Sequence, residues 1–423
     1  MNNEIKENNG YKITEVGRIP REWEVNRLSY YIAELQNGIS INAGDRACEL
    51  NEYGILKTSS ISTQGFIPSE NKVIQEKETI NLKVKPKKDN LIIVRKNTPE
   101  LVGMVNYVNK DYDNLFLPDL LWQTVFKEDK IVNKKYIYYY LNTEYYNSTI
   151  KKLATGSSNS FPNITKDNFL NIKIAIPTKN EQDKIVNILN NWDNIIELKQ
   201  KLLKEKENQK KGLIERLSTG KVRLSEFNDE WKKIKISEIF DIRNEKSKIT
   251  DRLELYSLTI DDGVTAKSDR YNREFLVKDD NKKYKITKFN DIVYNPANLR
   301  FGAIALNKIE KDVLLSPIYE TLYVKDNEKY DVNFISQILT SEHQIKSFST
   351  MAEGTLVERM SVKIKDFINF KISVPNNIEE QRKISTIIDN SQKEIELLKK
   401  EIELLKDQKK GLMQLLLTGI VRV

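Results

Sequence analysis

One stretch of this sequence occurs twice, and that duplication limits the possible folds more than any other feature. The first copy runs from Glu181-Gln182 to Thr219-Gly220-Lys221-Val222-Arg223. The second runs from Glu380-Gln381 to Thr418-Gly419-Ile420-Val421-Arg422. They align without a gap and are about half identical. Shared blocks include Lys210-Lys211-Gly212-Leu213 with Lys409-Lys410-Gly411-Leu412, and Ile196-Glu197-Leu198 with Ile395-Glu396-Leu397. A period of roughly 200 residues marks a duplicated domain, since solenoid units repeat every ~20–50 residues.

Each copy reads as one long helix. Ile185, Ile188, Leu189, Trp192, Ile195, Ile196, Leu202 and Leu203 recur at three-to-four spacing, as do Ile384, Ile387, Ile388, Ile395, Leu398, Ile402 and Leu405, which places them on one stripe. Pro177 and Pro375 precede the copies, and Gly220 and Gly419 stand where a left-handed C-cap belongs. About 35 residues at ~1.5 Å per residue make a rod of roughly 50 Å. Lys204 to Gly212 carries no apolar residue, so a lone helix would be poorly held there. The expected solution is that the two rods pack against each other, antiparallel.

A chain of 423 residues predicts more than one domain. A hydrophobic content of 39% suffices for packed cores, and 31% charged residues fit a soluble protein. No apolar run approaches the ~20 residues needed to span a bilayer. Met1 to Lys6 lacks an apolar stretch, so no secretory leader is expected. The single cysteine, Cys48, excludes an internal disulfide and a cysteine-based metal cluster, and is expected to be an ordinary thiol in a reducing compartment. The single histidine, His343, argues against His-dependent triads and is expected on a helix surface. The net charge of +8 suits a polyanionic partner. Residues 224–379 carry −1, so any nucleic-acid contact there needs a local basic patch.

Residues 1–16 are expected to form a flexible polar lead-in. A first globular domain over 17–180 precedes the first rod and its connector, 181–223, and a second over 224–379 precedes the second rod, 380–423. Each domain opens on a tryptophan, Trp23 or Trp231, expected to anchor core, and then a short helix, Leu28 to Leu35 or Ile236 to Phe240. Strand-length apolar runs follow at Leu91 to Val94 and Asp291 to Tyr294. Further strands are expected at Trp122 to Phe126 and Leu322 to Val324, then helices at Lys135 to Leu141 and Val332 to Leu339. Gly103 and Gly302 keep the offset of the rods, as do Pro118 and Pro317. The duplication therefore extends through the globular parts, which have diverged further. Each domain closes on a polar loop, Thr155 to Ser160 or Ala352 to Thr355, and a strand ending at Pro177 or Pro375.

These features resemble a specificity subunit of a type I restriction-modification system. The resemblance rests on the paired Glu-Gln starts, the Lys-Gly-Leu joints, the Thr-Gly-x-Val-Arg ends, Gly17-x-Ile19-Pro20-x-x-Trp23, and Asp291-Ile292-Val293-Tyr294-Asn295-Pro296. It covers residues 17–423. It implies an α+β fold with two strand-rich target-recognition domains in tandem, each followed by a long helix, the helices forming an antiparallel coiled coil with pseudo-twofold symmetry. It implies a cytoplasmic, non-catalytic subunit that reads a bipartite site on double-stranded DNA. Its partners would be adenine methyltransferase (modification) subunits, two per chain, and restriction motor-nuclease subunits. S-adenosylmethionine, ATP and Mg²⁺ would belong to those partners, and no cofactor to this chain. In one departure, Pro177 to Glu181 is one residue shorter than Pro375 to Glu380.

Three other readings are open to such a chain. A methyltransferase would need an Asn/Asp-Pro-Pro-aromatic motif, of which Asn295-Pro296 supplies two letters, and no glycine-rich cofactor or phosphate loop occurs. A metal-dependent nuclease could use Pro118-Asp119 with Glu128-Asp129-Lys130, but the spacing is loose and Ile318 follows Pro317 in the second copy. A coiled-coil scaffold without DNA specificity would explain the rods but not two diverged domains. Residues of suitable chemistry on expected loops are the DNA-contact candidates. In the first domain they are Lys57, Ser59, Arg95, Lys96, Asn97, Lys151, Lys152, Ser157 and Asn159. In the second they are Thr259, Lys267, Arg270, Arg273, Asn295, Asn298, Arg300, Thr355 and Arg359. Arg can grip guanine and Asn adenine bidentately, while Lys and Ser more often hold phosphates.

Overall fold

The computed structural model describes residues 10–75, 82–154, 161–266, 282–353 and 360–423. It divides into two units, Met1–Leu198 with Ile402–Val423, and Lys199–Glu401. The first unit thus takes its final segment from the far end of the sequence.

The expected rods are single helices, Lys179–Ser218 and Ile378–Leu417. Each starts slightly before its Glu-Gln pair. The Thr178 hydroxyl accepts from the Glu181 amide at 3.4 Å, and the Asn377 side chain accepts from the Glu379 amide at 2.9 Å, which satisfies N-terminal amides the helix cannot. Each ends at a left-handed glycine, Gly220 at φ 67° and Gly419 at φ 71°. The amides of Gly220 and Gly419 reach back to the carbonyls of Leu217 and Leu416, and those of Val222 and Val421 to Arg216 and Leu415, which satisfies carbonyls the helix end leaves open.

The rods run antiparallel within each unit. In the second unit Lys199 pairs with Glu401 at 2.8 Å, Lys206 with Glu394 at 2.7 Å, Glu207 with Lys399 at 2.9 Å and Lys210 with Gln392 at 2.6 Å. In the first, Lys409 pairs with Asp193. The stretch without apolar residues is therefore held by a polar seam. Ile395, Leu398 and Ile402 supply the buried stripe of the second rod.

Each unit has the same central sheet of four antiparallel strands. In the first unit the order is Val105–Tyr107, Leu91–Val94, Leu121–Phe126, Ile32–Asn37. In the second it is Ile304–Leu306, Ile292–Tyr294, Glu320–Val324, Phe240–Ile242. Leu91–Val94 is buried at every position, as expected of an unbroken apolar run walled on both faces. A smaller three-stranded sheet accompanies each and has diverged. One includes a parallel pair, Leu115–Phe116 with Gly54–Leu56, whereas the other is wholly antiparallel. The helix expected over Leu28 to Leu35 stops after Leu28–Tyr31. Ile32–Asn37 is a strand because its backbone pairs along Leu121–Phe126, a tertiary constraint that overrides local pattern.

Both tryptophans are structural, and each is tied to a buried carboxylate. Trp23 Nε1 donates to Glu181 at 3.1 Å, and Arg422 grips the same carboxylate through Nε at 2.6 Å and Nη2 at 2.9 Å. In the second unit Trp231 Nε1 donates to Glu380 at 3.2 Å, and Arg223 grips it at 2.8 and 2.9 Å. Glu181 is 5% exposed and Glu380 0%. Each arginine also lies over the tryptophan it meets at the carboxylate. The neighbouring glutamines do the same job twice. Gln182 accepts from the Asn133 amide and donates to Pro177, and Gln381 accepts from Asp331 and donates to Pro375. Asn133 and Asp331 are the N-caps of Lys134–Tyr140 and Val332–Leu339. A second repeated tie joins Lys410 to Glu144 at 2.9 Å and Lys211 to Glu342 at 3.2 Å.

The second unit has a buried ion pair of its own. Asp291, 1% exposed, accepts from Arg243 Nε at 2.6 Å, from Nη2 at 2.9 Å and from the Lys288 amide at 2.7 Å. Burial pushes its carboxyl above the usual range, although Arg243 pulls it back.

Arg422→Ala leaves the Glu181 carboxylate with tryptophan alone. Faster amide exchange is expected around Trp23 and the start of the first rod, with the region around Trp231 unchanged, and Arg223→Ala should do the reverse. Exchange mass spectrometry reads both. Arg243→Ala leaves the buried Asp291 carboxylate without its counter-ion and with the Lys288 amide, and should cost about 3–5 kcal/mol at neutral pH. A carboxyl whose folded pKa is raised contributes stability at low pH that is lost as pH rises through that value. The deficit should therefore widen from about pH 4 upward, and denaturation midpoints across pH check the sign.

Candidate nucleic-acid interface

Asn295, Asn298 and Arg300 come together on the turn that follows strand Ile292–Tyr294. Tyr294 is fully buried and stacks on Phe367 at 4.4 Å. Chain reversal is then over-determined. The Asn295 side chain accepts from the Ala297 amide at 3.1 Å, and the Asn298 carbonyl accepts from Phe301 at 2.9 Å and Ala303 at 3.2 Å. A single 3₁₀ turn, Leu299–Phe301, ends at Gly302, whose φ of 96° strains any other residue. Leu299 is 0% exposed and pins the turn, while Phe301 is 57% exposed. The Arg300 guanidinium lies 4.5 Å over the Phe301 ring. Thr259 sits at the end of strand Tyr256–Thr259, where its hydroxyl accepts from the Asp262 amide at 3.1 Å and shapes the hairpin.

In the first unit Arg95, Lys96 and Asn97 follow strand Leu91–Val94, as Asn295 follows its counterpart. Arg95 is half-buried, and its Nε is buried without a hydrogen-bond partner. Lys96 bridges to Asn163 and is exposed, and the Asn97 side chain accepts from the Thr98 amide at 2.8 Å. Lys57 and Ser59 are engaged elsewhere, both holding Glu70, at 3.3 and 2.7 Å. Lys151 and Lys152, expected on a loop, lie instead in the last turn of helix Glu144–Leu153, where cations meet the negative end of the helix dipole. Ser157, Asn159, Lys267, Arg270, Arg273, Thr355 and Arg359 lie outside the described residues.

The exposure of Phe301 is not legible in the sequence, because an aromatic in a Leu-Arg-Phe-Gly run reads as core. The signal that marks it is the following glycine at the duplicated Gly103/Gly302 position.

His343 is exposed on helix Glu342–Thr350. Burial pushes the Cys48 thiol up, which keeps it protonated and poorly nucleophilic. Asp119 accepts from Ser40 at 2.8 Å, and Asp129 pairs with its neighbour Lys130 at 3.1 Å. Among the described residues no three His, Cys, Asp or Glu side chains gather as metal ligands, and no helix is long and apolar enough to cross a membrane.

Comparison with known proteins gives a consistent result. The chain is 28% identical to the Type I restriction enzyme MjaVIII specificity subunit of Methanocaldococcus jannaschii, over 96% of this chain and 94% of that protein. It is 27% identical to the Putative type I restriction enzyme MjaX specificity subunit of the same organism, over 99% and 98%. In fold it matches the crystal structure of a Type-I restriction-modification system S subunit from M. genitalium, with TM-score 0.54 and 17% identity, over 93% of this chain and 96% of that one. A second match, with TM-score 0.58 and 14% identity, covers 95% and 99% of a chain described under complex assembly and conformational transition of the type I R-M system. The Type I restriction modification DNA specificity domain matches residues 20–208 and again 228–407. The chain belongs to the type I restriction-modification DNA specificity family.

Proposed function

We propose that this chain reads a bipartite DNA target, one half through each globular domain, and docks two adenine methyltransferase subunits along its rods. It is itself a non-catalytic subunit. S-adenosylmethionine, ATP and Mg²⁺ are assigned to the modification and restriction partners, and the complex to the cytoplasm.

The observation that carries the reading is the contrast between well-kept frame and diverged display. The Glu-Trp-Arg ties, the glutamine braces and the four-stranded sheets repeat. At the duplicated glycine turn the two domains present different side chains. The first buries Val102 and shows Leu101 at 38% exposure, and the second shows Phe301. Two readers of different half-sites on a common frame need this pattern, whereas a scaffold has no use for it.

The docking proposal rests on the rods. Leu198 and Leu397 occupy the same repeat position and are 64% and 66% exposed. Neither serves the internal seam, so both are available to two copies of one partner.

The central test is a domain exchange. Replacing residues 24–170 with the matching domain of a relative should change one half of the selected DNA sequence and leave the other intact. The readout is selection from a random duplex library, with binding that weakens steeply with salt. If both halves change together, the modular reading is wrong. For docking, Leu198→Asp and Leu397→Asp should each leave one modification subunit bound instead of two, as measured by native mass. Retention of two on both variants would overturn that assignment.

A further inference from the structure

We infer that Phe301, displayed beside Arg300 on the second domain's glycine turn, contacts the 5-methyl group of a thymine in that domain's half-site. This inference rests on the DNA-reading proposal and adds to it a base identity.

The turn is built to hold an apolar side chain out in water. Leu299 is fully buried, Phe301 two residues later is 57% exposed, and Gly302 at φ 96° reverses the chain between them and strand Ile304–Leu306. The Gly302 amide bonds to Leu299 at 2.9 Å, the Asn295 amide bonds to Ala303 at 2.9 Å, and the Pro296 carbonyl accepts from Val362 at 2.9 Å. The backbone beneath Phe301 is therefore fixed on both sides. The hairpin joining Tyr256–Thr259 to Gly263–Ala266 brings a second apolar group, Ile260, 54% exposed. Its Cγ2 is 3.8 Å from where a Cβ on Gly302 would lie. Among the described residues these two large apolar side chains share one rim, which suits an apolar contact outside the chain.

Two DNA features take an apolar side chain: the thymine methyl in the major groove, and the gap between unstacked base pairs in the minor groove. The Arg300 guanidinium already covers one face of the Phe301 ring at 4.5 Å. A wedge needs both faces free to stack between bases, whereas a methyl contact needs only one. The covered face thus favours the methyl.

The test uses the full-length chain and its selected duplex, with each thymine of the second-domain half-site replaced in turn by uracil, which lacks only the methyl. For the wild type, one replacement should weaken binding about fourfold, the factor for burying one methyl-sized group. Phe301→Ala should bind the thymine and uracil duplexes equally, with an unchanged salt slope and amide exchange matching the wild type. The inference is overturned if the half-site holds no thymine, if no uracil replacement matters, or if Phe301→Ala keeps the wild-type ratio. A wild-type chain that selects no sequence would instead sink the DNA-reading proposal.

Discussion

The carboxylates of Glu181 and Glu380 hold this molecule together. Each is nearly or fully removed from water, and a carboxylate in that position is tolerable only if its lone pairs are filled by well-placed donors. The donors are an indole N–H and a bidentate guanidinium, drawn from segments far apart in sequence. The start of a rod, the opening of a domain and the tail of the other rod must therefore meet at one point. Removing any participant leaves a buried polar group without its partners, which explains why Trp, Glu and Arg appear as a set in both halves. Such a tie specifies register more than it adds stability, since an apolar cluster could bury the same area without fixing the angle.

Much of the architecture was legible because it is written twice. The rods, their glycine caps and the strands Leu121–Phe126 and Glu320–Val324 stand at one offset in the sequence, and the structure places them as read. Sequence pattern could not say that Arg422 meets Glu181 and Arg223 meets Glu380. Motifs that look like neighbours along the chain, the Glu-Gln start and Thr-Gly-x-Val-Arg end of one rod, are closed by the opposite rod. The polar stretch Lys204 to Gly212 looked like a weakness and is instead an ion-pair seam, because charge complementarity between helices leaves no trace in apolar periodicity. Ile32 to Leu35 reads as the end of a helix in the sequence and is a strand in the structure, because pairing with Leu121–Phe126 outweighs local preference.

The candidate interface is less legible. Asn295, Asn298 and Arg300 share one turn because the strand before them is buried, and a buried strand end fixes where the next residues point. Lys151 and Lys152 were misplaced because a short amphipathic helix rich in tyrosine and lysine resembles a loop. Lys57 and Ser59 have suitable chemistry on an expected loop, and neither property reveals that Glu70 already occupies both. Exposure separates Phe301 from Leu299, and exposure is a property of the folded chain.

The composition of the first unit has a consequence for synthesis. Residues 402–423, which fill part of that unit's core with Leu416 and Leu417, leave the ribosome after all of 199–401. The second unit is contiguous and can close first, while the earlier-made domain waits with Trp23 and Glu181 unsatisfied. Nascent chains generally complete their N-terminal domains first; here the order is inverted. A premature stop shortly before Arg422 would therefore injure the globular domain that precedes the first rod and spare the one just translated.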